Sequence, residues 1–415
     1  MTMMDTALCL QPTAKALRAL IAQGPTVEAA MRLLSCESLT GLKVERMHFP
    51  GTKPVQLQIR AVRGDGDDCM LIGEWVGPEA TDLAVAEAAR LAKPRRGMVA
   101  PPGVIAVVAD PAHGLLLRRP GFDPKLPGMR LLHDADWAPS RLAALGCDPG
   151  ASVSLVAHRL SKRAVLRIDG PGGTRYARLR PVTSNSGQQA YAQHLMLWQA
   201  LEGCVHIAIP RPLGFDTELG LALFDALPGT QPQFSGLDGF RATQAVMLAL
   251  AALQGLTIDS PLHDTTDELR ILDGWAARVA DVFPDLAMRL QSPLARLQDD
   301  MAALVELPPV PCHRDLHEAQ VLLDHGRAGL LDFDTLRCGD PALDAGNLQA
   351  HLLLATFRDG ISRRAFVSAM ETALPHLSSR RIGVWRRAAL LRLAMMYAFT
   401  AEPRKNIHSL IDEAA

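Results

Sequence analysis

The stretch Pro311-Cys-His313-Arg-Asp315-Leu-His-Glu-Ala-Gln320-Val-Leu-Leu-Asp-His-Gly326-Arg-Ala-Gly-Leu-Leu-Asp332-Phe-Asp334 gathers the residue types that do chemistry. An H-x-D precedes a short apolar run, a glycine-centred turn, a second apolar run and an aspartate. Folded as a hairpin about Gly326, it sets Gln320 opposite Asp332, since both lie six residues from the glycine. Side chains directly opposite in a hairpin sit about 5 Å apart. Gln320 and Asp332 then present an amide carbonyl and a carboxylate to one point. Two oxygen ligands of this kind suit Mg²⁺, which takes one or two carboxylates and fills its shell from phosphates and water. Asp315, in the loop before the hairpin, is placed to reach a substrate hydroxyl. Asp332 is flanked by Leu330, Leu331 and Phe333. A carboxylate in an apolar strand is costly unless it is paired or bound to metal. Asp334 is expected to brace the loop, and Cys312 and His317 to be bystanders.

Several elements must position these residues. Residues 14–36 read as short helices broken at Gly24-Pro25. Leu42–Phe49 and Val55–Val62 alternate with period two, the strand signature, with Pro50-Gly51 as the turn between them. Gly64-Asp65-Gly66 leads into a strand at Cys69–Val76, a helix spans 80–92, and strands follow near 104–108 and 114–118. The order then recurs. Strands are expected at Ser152–His158, Ala164–Ile168 and Arg175–Leu179, with a helix at 187–201. Asp216-Thr-Glu-Leu-Gly220-Leu221-Ala-Leu223 echoes Asp110-Pro-Ala-His-Gly114-Leu115-Leu-Leu117. The recurrence reads as a tandem pair of similar β-rich lobes, against the alternative of two ordinary antiparallel sheets. Beyond Pro228-Gly229 the spacing becomes helical over 237–256, 265–283, 285–304, 345–357, 362–374 and 379–400. Only 320–333 looks like strand in that half. The expected domains are 1–148, 149–229 and 230–415.

The chain has 415 residues, with 43 Lys+Arg against 44 Asp+Glu, a net charge of −1. That balance argues against attachment to nucleic acid or an anionic membrane by bulk charge. The seven cysteines are widely spaced with no C-x-x-C, which fits a reducing compartment better than a disulfide framework or zinc site. The start lacks a secretory pattern, and no apolar run approaches the ~20 residues a membrane span requires. A cytoplasmic protein is expected.

The combined H-x-D, D-x-D and Gly339-Asp340-Pro341-Ala342-Leu343-Asp344 set resembles the aminoglycoside phosphotransferase / choline kinase family, relatives of the protein kinases. Upstream, Ile209-Pro-Arg-Pro-Leu-Gly-Phe215 and Leu223-Phe-Asp-Ala-Leu-Pro228-Gly229 look like that family's P-x-P-x-x-L-G strand and hinge. The likeness covers roughly residues 150–400. It implies an α+β, bilobal protein-kinase-like fold, with a small antiparallel β lobe, a large helical lobe and here an extra β-rich N-terminal lobe. It implies an ATP- and Mg²⁺-dependent transfer to a hydroxyl of a small-molecule acceptor such as a sugar or polyol, an aminoglycoside or an amino alcohol. Asp315 would orient and deprotonate that hydroxyl, and His313 would brace its loop. Gln320 and Asp332 would hold Mg²⁺. Asp344 would support the loop from behind. Phe224, Asp225, Ala226 and Leu227 would receive the adenine.

Three positions depart from the family pattern. Gln320 stands where asparagine is usual, similar to the maltokinase-like branch. The lysine of the third strand is replaced by arginine, with Arg178 the best match and Arg180 beside it. The helix glutamate that pairs with that lysine is absent, and Gln189 and Gln193 lie there instead. Arginine clamps phosphate bidentately but is not equivalent to lysine. The reading from a different class is a nucleotide-binding pseudokinase or scaffold. The candidate acceptor groups Asp264, Asp267, Glu268, His351, Glu371 and Trp385 form no readable code.

Overall fold

The computed structural model describes residues 12–49, 54–64, 66, 68–91 and 103–415. The expected Pro50-Gly51 turn, Asp65 and Cys9 lie outside them. The chain forms two compact units. One holds the residues up to Tyr191 with Leu213–Asp225 and Phe399–Ala401, the other Ala192–Pro212, Ala226–Ala398 and Glu402–Ala415.

The first unit begins with α1 (Ala14–Gln23), capped by the Thr13 hydroxyl accepting from the Ala16 amide, and α2 (Val27–Leu34). Its first sheet comprises β1 (Leu39–His48), β2 (Gln56–Arg63), β3 (Asp68–Trp75), then, beyond α3 (Ala80–Leu91), β4 (Val107–Asp110) and β5 (Leu115–Arg118). Next come a 3-10 turn at Pro127–Leu132 and α4 (Ala138–Ala144), neither of which the periodicity announced. The second sheet is built from β6 (Ser152–Arg159), β7 (Arg163–Gly170) and β8 (Gly173–Leu179), followed by α5 (Ser186–Ala200), β9 (Ile207–Ala208), β10 (Pro212–Asp216) and β11 (Leu221–Asp225), of which β9 pairs elsewhere.

The two five-stranded sheets have the same strand order, β1-β2-β3-β5-β4 and β6-β7-β8-β11-β10. In each, three strands form a meander, a helix follows the third, and the last strand inserts beside the third. The echoed D-x-x-x-G-L segments make the same bond. The Val76 amide donates to Gly114 O at 2.8 Å, and the Arg180 amide to Gly220 O at 2.9 Å. Both glycines have positive φ, 63° and 59°. A Cβ at Gly114 would stand 2.9 Å from the Gly77 backbone, so the turn requires glycine.

The buried face of the second sheet (Ala164, Leu166, Ile168, Ala177, Leu179, Leu221 and Leu223) shares one core with Leu126, Met129, Leu131, Ala138, Leu142 and Cys147. Residues on either side of the expected 148/149 division therefore fill a single core.

The second unit carries α6 (Gly236–Gln254), β12 (Leu262–His263), α7 (Thr265–Val282), α8 (Pro284–Ala302), β13 (Val310–Cys312), β14 (Val321–Asp324), β15 (Arg327–Leu330), β16 (Arg337–Gly339), α9 (Leu343–Asp359), α10 (Arg364–Ala373), α11 (Ser379–Tyr397) and α12 (Arg404–Ala414). The six expected helices are present within a few residues of their expected bounds. β12, β13 and β16 form a small sheet that the sequence did not reveal, since two or three residues carry no measurable period. The hairpin β14–β15 is extended by β9 in parallel. The helical core centres on α9 and α11, where Leu348, Leu352, Ile382, Trp385 and Ala389 are buried. No helix among the described residues is long and apolar enough to cross a membrane. The six described cysteines are free thiols.

Candidate active site

β13 ends at Cys312 and delivers the chain into the His313–Gln320 segment, which β14 then leaves. His313 is fully buried and its polar atoms are committed. Its amide donates to Asp344 Oδ2 at 2.7 Å, its Nε2 meets the Leu331 carbonyl at 2.6 Å, and its Nδ1 accepts from the Asp315 amide at 3.4 Å. The Arg314 amide, on a residue with φ 68°, donates to the other Asp344 oxygen at 2.7 Å. Asp344, the first-turn acid of α9, is thus a buried brace for the loop, as expected. Burial pushes its carboxyl above the ordinary carboxylate range, while His313 and the two amides pull it back. On the far side of the loop, buried Asn347 donates to the Leu316 carbonyl at 2.8 Å. Thr335 Oγ1 donates to the His313 carbonyl at 2.7 Å. Every part of the loop around Asp315 is tied down, and Asp315 itself is exposed.

Asn347 belongs to a network that sequence reading did not find. Arg392 bonds both Asn347 Oδ1 and Glu268, and Glu268 meets His263 Nε2 at 3.0 Å. Although burial opposes it, Arg392 and His263 draw the Glu268 carboxyl down to about 2. Asp340 is tied to Arg381 by bonds of 2.9 and 2.6 Å, so the first acid of G-D-P-x-x-D is structural too.

The hairpin register differs from the expectation by one residue. Val321 pairs with Leu330 and Asp324 with Arg327, so the turn is His325-Gly326, with φ 46° and 82°. Positive φ at both central residues is the two-residue turn whose twist suits flanking strands. The hairpin is therefore centred between His325 and Gly326, and Gln320 faces Leu331, whose amide donates to Gln320 O at 3.0 Å. Asp332 is not directly opposite Gln320. Nor does it stand in an apolar strand: β15 has ended at Leu330, and Asp332 is half-exposed at φ 62°, ψ 63°, opening a 3-10 turn. Such a backbone in a non-glycine residue costs free energy and is characteristic of functional positions. Gln320 closes another 3-10 turn, its side-chain Nε2 3.4 Å from His317 Nε2. His317 stacks on His351, and with Glu318 these residues bring ligating atoms within 4.8 Å of one another.

Arg178 lies in β8 between Ala177 and Leu179, both fully buried in the face turned to the 126–147 segment. Arg178 is half-buried on the opposite face, where its register partner on β11 is Ala222 and where Tyr176 pairs with Phe224. Tyr191 of α5 packs on that Phe224 with ring centroids 6.2 Å apart, so Arg178 shares its sheet face with this helix. Arg180 falls beyond the end of β8. Gln193 donates to Ser260 Oγ at 3.4 Å. Of the four expected adenine-binding residues, Phe224 and Asp225 belong to the first unit and Ala226 and Leu227 to the second.

Of the candidate acceptor groups, Asp264 caps α7, Glu371 pairs with Arg386 at 2.9 Å, and Trp385 is buried. Asp267 lines a cavity of about 550 Å³ with Leu262, His263, Arg270, Ile271, Gly274, Trp275, Arg278 and Arg337.

A buried H-x-D loop braced by a G-D-P-x-x-D helix, followed by a hairpin and a half-exposed aspartate, belongs to phosphotransferases of kinase-like fold. The chain is a member of the phosphotransferase enzyme family (APH), whose sequence profile matches residues 152–377, more than half of its length. Residues before 152 lie outside that match. No curated protein matches the chain. Among solved structures it is similar to a thermostable mutant of aminoglycoside phosphotransferase APH(4)-Ia in ternary complex with AMP-PNP and hygromycin B. That pair shows 14% identity over 66% of this chain and 98% of the other, with a TM-score of 0.50. It is also similar to a choline/ethanolamine kinase family protein from Mesorhizobium loti, at 16% identity over 67% and 92% of the two chains and a TM-score of 0.46. Aminoglycoside phosphotransferase APH(3'')-Id from Streptomyces rimosus ATCC10970 matches at 20% identity over 61% and 95%, with a TM-score of 0.44. The fold is kinase-like.

Proposed function

We propose that the protein transfers the γ-phosphoryl group of ATP to a hydroxyl of a small molecule. The observation that carries this reading is the exposed Asp315 carboxylate on a loop whose neighbours His313, Arg314 and Leu316 are fixed by Asp344 and Asn347. A fixed carboxylate at the surface of a buried loop can orient a hydroxyl and take its proton. Asp332 and Gln320 would hold Mg²⁺. They offer a carboxylate and an amide carbonyl, an oxygen donor set of the hard kind this ion takes, and the left-handed backbone at Asp332 supports the assignment. Bound there, the ion would neutralise charge on the transferring phosphates. Arg178 would supply the small-lobe cation, and Phe224, Asp225, Ala226 and Leu227 the adenine site. A sugar or polyol acceptor rests on Gln320. Cytoplasmic location rests on cysteine usage.

The first sheet reads as a second small lobe that has lost any phosphate site. Counting back two residues from the matched amides of Val76 and Arg180 places Glu74 where the second sheet has Arg178.

The test is ATP consumption over a panel of sugars, aminoglycosides, amino alcohols and hydroxy acids. Asp315→Asn should keep the fold and nucleotide affinity and lower turnover by ~10²–10⁴-fold. Wild-type turnover in that variant would reject the role of Asp315. Absence of Mg²⁺-dependent ATP binding in the wild type would favour the scaffold reading.

A further inference from the structure

The cavity at α7 is built on one helix face. Asp267, Arg270, Ile271, Gly274, Trp275 and Arg278 recur at the three- and four-residue spacing that aligns side chains along a helix. Its other wall is the β12–β16 edge, with Leu262, His263 and Arg337. Arg337 pairs in register with Cys312 of β13, and β13 runs straight into His313 and Asp315. The cavity therefore opens in the same unit as the proposed base and beside the strand that delivers it.

Its lining charge is positive. Arg270, Arg278 and Arg337 stand against one carboxylate, Asp267, whose Oδ1 receives Arg270 at 2.6 Å. His263 is turned inward to Glu268 at 3.0 Å. Arg278 lies over the Trp275 ring at 5.5 Å and donates to the Gly274 carbonyl at 2.7 Å. Arg337 donates to the Leu336 carbonyl at 2.8 Å. Behind this wall the Arg314 guanidinium has its pKa lowered, chiefly by burial, with Arg392 and Arg337 adding to the effect against the pull of Glu268. A cation placed in the cavity would meet this field unfavourably. An anion would be drawn to it, and guanidinium forks receive carboxylate and phosphate with two bonds each. The flat Trp275 ring and Ile271 offer apolar surface to the remainder of such a molecule.

We infer that the acceptor is an anionic hydroxy compound, bearing a carboxylate or phosphate that the arginines of α7 and β16 receive while its hydroxyl extends to Asp315. The inference rests on the kinase reading above and names its substrate class. In the transfer, the acceptor oxygen bonds the γ-phosphorus of the nucleoside triphosphate, and the bond from that phosphorus to the β–γ bridging oxygen breaks. The hydroxyl proton passes to Asp315 and the nucleoside diphosphate leaves. A cationic acceptor of the aminoglycoside or amino-alcohol type does not fit this lining.

Calorimetry on the full chain, with four probes of one size, tests the assignment. The probes are glycerate, glycerol 3-phosphate, glycerol and 3-amino-1,2-propanediol. At least one anion should bind tenfold or more tightly than the neutral or cationic probe, and comparing the two anions separates carboxylate from phosphate recognition. Arg278→Gln and Arg337→Gln should each weaken that binding about tenfold while the melting temperature and ATP affinity hold. Arg270→Gln, on an exposed side chain, keeps the measurement open if either variant fails to fold. Failure of both anions to bind, tighter binding of the amine, or unchanged anion affinity in the arginine variants would overturn the inference. ATP binding is measured separately, so loss of the kinase reading alone would leave the anion result standing.

Discussion

His313 commits four polar atoms, its amide, its carbonyl and both ring nitrogens, to its own surroundings, and none is left for substrate. Its neighbour Asp315 is the reverse, exposed and held by its backbone. This division separates the duties of two nearby acid–base residues: His313 sets the loop, and Asp315 is the one to which the proposed function gives the chemistry. The same logic applies one layer deeper, at Glu268. Its carboxyl is depressed from 4.5 to about 2, despite burial, by Arg392 and His263. A depressed carboxylate contributes stability that is complete above its unfolded value and is lost as pH falls towards the folded one. The shift corresponds to roughly 3 kcal/mol. Glu268→Gln should therefore be less stable than wild type near neutral pH, and the gap should close as pH falls from about 5 towards about 2. Urea unfolding at a series of pH values reads this directly. A gap that stayed constant over that range would show that Glu268 is not the titrating group.

At the scale of elements, β3 and β8 hold matching places in sheets of one strand order, yet carry opposite charges. In the first sheet Glu74 receives Arg118 at 2.7 Å, and Arg118 also reaches Glu87 of α3 at 2.9 Å. Glu87 also takes two bonds from Arg90, at 2.7 and 2.6 Å, so the Arg118 guanidinium is held within a cluster of paired charges. The eighth residue of α3 is Glu87, and the eighth of α5 is Gln193. At the matching positions the second half of the repeat thus carries an arginine on its strand and an amide on the helix that follows. If Arg178 meets the phosphates as proposed, Arg178→Ala should weaken ATP binding more than Arg180→Ala, because Arg180 lies past the strand end. Arg178→Lys should recover only part, having lost the fork. Nucleotide titration of the three variants decides it. Equal effects at 178 and 180 would remove Arg178 from the site.

At the scale of the molecule, the family match starts at residue 152, but the core of the matched sheet does not. Leu126, Met129, Leu131 and Leu142 are buried against Leu166, Ala177, Leu179 and Leu223. Removing them would expose the apolar face of β7, β8 and β11. Each large aliphatic side chain contributes on the order of 1.5–3 kcal/mol by burial, and four together are comparable with a typical margin of stability. A chain beginning at 149 should therefore be insoluble or lose its cooperative melting transition, whereas the full chain melts cooperatively. A soluble, cooperatively folded truncation would show the N-terminal segment to be dispensable.

Long elements are legible in the sequence alone. The helices of 236–254, 265–282, 284–302 and 379–397 announce themselves because a buried face recurs every 3.6 residues over several turns. The meanders show because alternate residues such as Leu57, Ile59 and Ala61, or Ala164, Leu166 and Ile168, face a core. The H-x-D and G-D-P-x-x-D segments show because each is local, closed within a few residues. Three things needed the folded chain. The hairpin register turned on whether the bend has one central residue or two, and the left-handed pair His325-Gly326 made it two, shifting Gln320 from Asp332 to Leu331. The fixity of Asp315 depended on Asp344, Asn347 and Arg392, brought to the loop by helices far along the chain. The arginine-lined cavity required Arg337 of β16 to meet the α7 stripe across strands too short to show any period. Periodicity reports which face an element buries; which distant element it is buried against is set by packing, and the site is made of such meetings.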